Sequence, residues 1–75
     1  MTETNIKLNT IEDVKKFVSI VFKYEFDVDV VSGRYAVDAK SILGLFSIDL
    51  SKEVTLKIHS DDCTELLNEI KQFIV

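Results

Sequence analysis

From residue 11 onward, apolar side chains recur at helical spacing. Ile11, Val14, Phe17, Val18, Val21 and Phe22 form one stripe, and Glu12, Asp13, Lys15, Lys16 and Lys23 fall mostly opposite. The spacing predicts an amphipathic helix. Thr10 is its N-cap, and Glu12 and Asp13 occupy the first turn, where the helix dipole favours negative charge. Ahead of it, Asn5 to Lys7 reads as a short strand with Ile6 and Leu8 on one face. Phe26-Asp27-Val28-Asp29-Val30 alternates with period two, and Ser32-Gly33 is a two-residue turn signal leading into Arg34-Tyr35-Ala36-Val37. That pattern predicts a β-hairpin. A short helix follows at about Lys40 to Ser47. Glu53 to Ile58 then alternates as a fourth strand, with Val54, Leu56 and Ile58 directed to the core. Ser60 is positioned to cap a last helix whose stripe is Cys63, Leu66, Leu67, Ile70, Phe73 and Ile74.

The predicted order is β-α-β-β-α-β-α, an α+β open-faced sandwich. Helices on one face of a four-stranded, mostly antiparallel sheet would bury all the apolar stripes at once, leaving Asp27, Asp29, Thr55 and Lys57 for the wet face. A chain of 75 residues reads as one domain, 1–75, since a chain this short buries only about 60% of its unfolded surface. The formal net charge of −4 argues against nucleic acid and anionic membrane, both of which need a basic patch. Arg34 beside Tyr35 is the sole hint of a basic-aromatic platform for a nucleic-acid module. The polar, acidic start lacks the features of a signal peptide, and no run approaches the ~18 apolar residues of a membrane span, so a cytoplasmic protein is expected. One cysteine, Cys63, and one histidine, His59, give no ligand spacing, so no metal or cofactor is expected.

The short helix carries the candidate chemistry. On a helical wheel Ile42, Leu43 and Phe46 cluster, whereas Leu45 and Ile48 point the other way. If Leu45 and Ile48 go to the core, the first cluster stays partly in water as a protein-contact surface. Ser41 stands at the helix start beside Lys40. A serine there is a good N-cap, and phosphate on it would lie near the positive end of the helix. Ser47 and Ser51 are further candidates for modification.

Lys40-Ser41-Ile42-Leu43-Gly44 resembles the Lys-Ser-Ile-Met-Gly pattern around the regulatory serine of HPr, the phosphocarrier of the bacterial sugar phosphotransferase system. Phe17-Val18, the hairpin, Val54-Thr55-Leu56 and the last helix fall in the same register. The resemblance implies the HPr-like fold. It also implies that the phosphohistidine is missing, because counting back from Phe17 puts Thr10 at the histidine, Glu12 at the arginine and Asp13 at the proline of the family motif. Threonine esters are far less labile than phosphohistidine, and the two carboxylates would repel phosphate. His59 lies outside any family motif. The expected function is therefore a non-catalytic regulatory or adaptor protein, similar to histidine-lacking members of the catabolite-repression type. It would bind through Lys40, Ile42, Leu43 and Phe46, with Ser41 as a phosphorylation switch. The implied partner is a phosphotransferase-system or transcription-regulatory component, or a serine kinase. The alternative is a phosphocarrier with an atypical acceptor, His59 or Thr10. A monomer or a weak homodimer is expected, the dimer forming through the apolar patch or by exchange of the first strand.

Overall fold

The computed structural model describes residues Met1–Val75. In chain order it contains β1 (Thr2–Ile6), α1 (Ile11–Val21), β2 (Val28–Ser32), β3 (Tyr35–Asp38), α2 (Ile42–Phe46), β4 (Val54–Ile58) and α3 (Thr64–Glu69), then one 3-10 turn at Lys71–Phe73. The strands form one sheet in the order β1-β4-β2-β3, antiparallel throughout. This is the expected α+β open-faced architecture. β4 shows why: Val54, Leu56 and Ile58 are buried under the helices, while Thr55 and Lys57 alternate away from the core. Val14, Phe17 and Val21 of α1 join Leu66 of α3 and Phe73 in a core of 16 buried residues, none of them polar. The rings of Phe17 and Phe73 meet edge to face, 6.1 Å apart. No helix is long and apolar enough to cross a membrane.

β2 begins at Val28 rather than Phe26, and four further features differ from the sequence reading, each for a physical reason. β1 begins at Thr2 rather than Asn5. Its polar residues are held by backbone pairing to β4, in the register Thr2 opposite Ile58 through Ile6 opposite Val54. The hairpin turn is Gly33-Arg34, one residue later than Ser32-Gly33, because Gly33 sits at φ 60°. A two-residue hairpin turn with its first central residue at positive φ favours glycine there. The last helix does not run through Ile74. The Lys7 N–H donates to the Phe73 carbonyl at 2.8 Å and the Val75 N–H to the Asn5 carbonyl at 3.1 Å, so the chain must leave the helix to pair beside β1. Ile74 is accordingly extended and bridges to Ile6. Ser60 does not cap α3, since its hydroxyl turns back on Asp62, donating to the carbonyl at 3.0 Å and accepting the N–H at 3.2 Å.

Candidate functional site

α2 is a five-residue helix set by its cap. The Asp38 carboxylate accepts the Lys40 N–H at 2.8 Å and the Asp38 carbonyl accepts the Ser41 N–H at 2.9 Å, which turns the chain out of β3. Ser41 is extended there, and its Oγ accepts the Gly44 N–H at 3.1 Å. A Cβ at position 44 would stand 3.2 Å from that Oγ and 3.4 Å from the Val37 Cβ, so a larger residue there would push the cap oxygen back by a few tenths of an ångström. Ser41→Ala is expected to cost about 1 kcal/mol of stability, read as a lower urea midpoint, whereas Ser41→Asp keeps a capping oxygen and most of the stability.

Leu45 is fully buried, and Ile42 and Ile48 are half-buried against the core. Ile42 lies one turn before Leu45 and is drawn partly inward with it. Leu43 is 81% exposed and Phe46 47% exposed. Phe46 borders a groove of about 320 Å³ between α2 and the segment joining β1 to α1, lined also by Leu8, Thr10, Ile11, Val14 and Leu50. Ile11 is 61% exposed on this groove and Phe22 is 67% exposed at the other end of α1. Both correct the sequence reading, which put them on the buried stripe. As the first helical residue and the C-cap, they lie beyond the middle turns that press on the sheet. No signal in the sequence separates Ile11 from the residues that do face the core.

Lys40 does not stand free beside Ser41. Its Nζ donates to the Tyr24 carbonyl at 2.6 Å. The Tyr24 hydroxyl donates to Glu69 at 2.8 Å, and Lys23 donates to the other Glu69 oxygen at 2.7 Å, so α1, α2 and α3 share one polar strap. The bonds from Lys23 and Tyr24 hold the Glu69 carboxyl below its usual range. Desolvation and the Glu69 carboxylate push the Tyr24 phenol up to about 12 from 10.0. Between those values the unfolded chain releases the phenolic proton and the folded chain keeps it, so stability falls as pH rises through the window. In a Tyr35→Phe variant, which leaves Tyr24 as the one tyrosine, tyrosinate absorbance is expected to stay low past pH 10 while the protein remains folded. A normal titration at pH 10 would contradict the strap.

The other hydroxyls near α2 are committed as donors. Ser47 Oγ donates to the Gly44 carbonyl at 2.6 Å and Ser51 Oγ to Asp49 at 2.5 Å. The side-chain and backbone bonds from Ser51 hold the Asp49 carboxyl below its usual range. Thr10 caps α1, accepting the Asp13 N–H at 3.0 Å, while Asp13 accepts the Asn9 N–H at 3.1 Å. The two bonds fix the entry into α1: Thr10 satisfies the Asp13 N–H, and Asp13 reaches back past the cap to the residue before it. His59 Nε2 lies 2.9 Å from an Asp29 oxygen. Ile6, which leads toward Thr10, pairs with Val54, and His59 follows Ile58. Thr10 and His59 therefore stand at opposite ends of the sheet. No group of His, Cys, Asp and Glu is clustered closely enough to hold a metal ion.

Comparison with known proteins places this geometry. Residues 13–75 match the family model described as the phosphorylation site of the PTS HPr component. Among solved structures, HPr-C-His from Thermoanaerobacter tengcongensis superposes with a TM-score of 0.80 at 25% identity, over 96% of this chain and 89% of that one. The phosphocarrier protein HPr from Bacillus anthracis gives 0.75 at 18% identity, over 99% and 96%. The catabolite-repression protein Crh of Bacillus subtilis, described as a swapped, intertwined dimer, gives 0.66 at 25% identity, over 93% and 87%. No curated protein sequence matches the chain. Members of the matched family are phosphocarriers rather than enzymes. The open four-stranded antiparallel sheet with its three helices is the HPr fold, and the chain belongs to the HPr family of the phosphotransferase system.

Proposed function

We propose that this chain is a regulatory or adaptor protein of the HPr family, a single domain of the bacterial cytoplasm that binds a protein partner through α2 and is gated by phosphate on Ser41. The observation that carries the reading is the exposure of Leu43 and Phe46 on a helix whose other face is already buried through Leu45. Ile11 continues that apolar surface across the groove from Phe46. Exposed apolar side chains at helical spacing fit a partner's apolar groove or helix. The reading also takes the carrier chemistry to be lost. The family match begins at residue 13, after Thr10, and the turn that follows Thr10 carries Glu12 and Asp13, carboxylates that would repel a phosphoryl group.

Ser41 is the preferred phosphate site because its exposed Oγ only accepts, whereas the hydroxyls of Ser47 and Ser51 donate. A dianion there would stand beside Leu43 and change which surfaces can dock. The partner is a phosphotransferase-system component, a transcription-regulatory component or a serine kinase. A photo-crosslinker at position 43 or 46 is expected to capture one protein that a crosslinker at Thr55, on the open sheet face, does not. Equal capture from both faces would sink the docking reading. Phosphate mapping of protein from its native cell, with Ser41→Ala as control, tests the switch, and no phosphate on Ser41 removes it. The second reading, a phosphocarrier with Thr10 or His59 as acceptor, is favoured by the family match itself and is separated by the transfer assay described below.

A further inference from the structure

The two edges of the sheet are not equivalent. β1 is flanked by the Ile74 bridge and by the bonds from Lys7 and Val75. β3 has no neighbour beyond it. Within the hairpin, Ser32 faces Tyr35, Val31 faces Ala36, Val30 faces Val37 and Asp29 faces Asp38. A two-residue turn closes on a hydrogen-bonded pair, and antiparallel ladders alternate. Tyr35 and Val37 therefore spend their backbone groups on β2, as does Ala39, whose N–H donates to the Val28 carbonyl at 2.8 Å. Arg34 and Ala36 turn theirs outward, as does the Asp38 N–H, while the Asp38 carbonyl accepts the Ser41 N–H at 2.9 Å. Ala36 takes part in no turn or loop hydrogen bond, and Arg34, Tyr35, Ala36 and Asp38 are all exposed.

The charges on this edge are equally unspent. Arg34 and Asp38 are in no ion pair, while Asp29, the like-charged neighbour directly across from Asp38, has His59 Nε2 within hydrogen-bond distance. Arg34 and Asp38 lie symmetrically about Ala36. We propose that the β3 edge pairs antiparallel with the same edge of a second copy of this chain, in the register Ala36 on Ala36. In that register the two Ala36 residues exchange N–H to carbonyl bonds. Arg34 of each copy stands opposite Asp38 of the other, and Tyr35 opposite Val37. Shifting the two-fold axis to Tyr35 or Val37 sets Arg34 or Asp38 against alanine and leaves the charges unmatched. The Asp38 oxygen not held by the Lys40 N–H is available to the guanidinium. Because β3 is only four residues long, the interface falls below the roughly 1,200 Å² of a standard one and the dimer is a weak, reversible one. It leaves α2 unused, so it stands independently of the function proposed above.

Sedimentation equilibrium of the full chain over a rising concentration series reads the proposal. Self-association is expected and is lost in Ala36→Pro, which removes the exchanged N–H but no bond to β2. It is also lost in Arg34→Asp and in Asp38→Arg alone, since each sets like charges face to face. Mixing those two variants in equal amounts is expected to restore association as a heterodimer, which neither forms alone. Asp38→Asn, which keeps an oxygen for the Lys40 N–H, is expected to weaken the dimer at least several-fold with an unchanged circular dichroism spectrum. A monomer at every concentration overturns the proposal. So does a dimer indifferent to Ala36→Pro and charge reversal, as exchange of β1 or contact through Leu43 would give.

Discussion

Replacing Phe17 with alanine is expected to leave most of the chain unfolded at 25 °C. Phe17 is fully buried, lies at the middle of the α1 stripe, and packs its ring edge to face on Phe73. Emptying such a site costs about 3–5 kcal/mol through lost transfer energy and the cavity left behind. A core of this size supplies a net stability of about the same amount. Phe73 loses its aromatic partner in the same step, and its carbonyl is the acceptor for the Lys7 N–H that ties the end of the chain beside β1. Urea denaturation followed by circular dichroism is expected to show little or no folded baseline for Phe17→Ala. A midpoint close to that of the parent chain would mean that the α1 stripe does not hold the fold.

The second large effect separates two residues of one short helix. Leu45→Ala is expected to cost about 2–5 kcal/mol, because Leu45 is fully buried and joins α2 to the core. Leu43→Asp, two positions earlier and 81% exposed, is expected to change stability by no more than about 0.5 kcal/mol. Partner binding should show the reverse distinction. An apolar anchor at the centre of a contact is worth about 2 kcal/mol or more, so Leu43→Asp should weaken binding about 30-fold while the fold stays intact. Denaturation and titration calorimetry on the same samples check both halves. A Leu43→Asp variant that binds its partner normally would remove α2 from the interface.

The α1 stripe and the alternation in β4 were legible because each segment buries one face, and burial imposes a period that the residues must carry. Thr10 and Ser41 were readable as caps for a similar reason, since a helix start leaves N–H groups that a nearby hydroxyl can satisfy. β1 was under-read because Thr2 to Asn5 offer no apolar alternation. Their strand is imposed from outside by the ladder to β4. The break after Glu69 was invisible because Leu66, Ile70, Phe73 and Ile74 keep helical spacing through the 3-10 turn. What ends the helix is pairing with Asn5, Ile6 and Lys7, at the far end of the sequence. The same limit applied at the site. Ile42, Leu43 and Phe46 could be grouped from a helical wheel, but the inward lean of Ile42, the exposure of Ile11 and the bond from Lys40 to the Tyr24 carbonyl depend on how α1 and α2 cross.

The proposed function requires α2 to work by contact and the chain not to hand on a phosphoryl group. Its most direct test is transfer from phosphoenolpyruvate in the presence of the general phosphotransferase enzyme, with an ordinary HPr as positive control and phosphate located by mass spectrometry under conditions that preserve phosphohistidine. The expected result is full labelling of the control and none of this chain. Stoichiometric label on Thr10 or His59 would contradict it and make the protein a carrier.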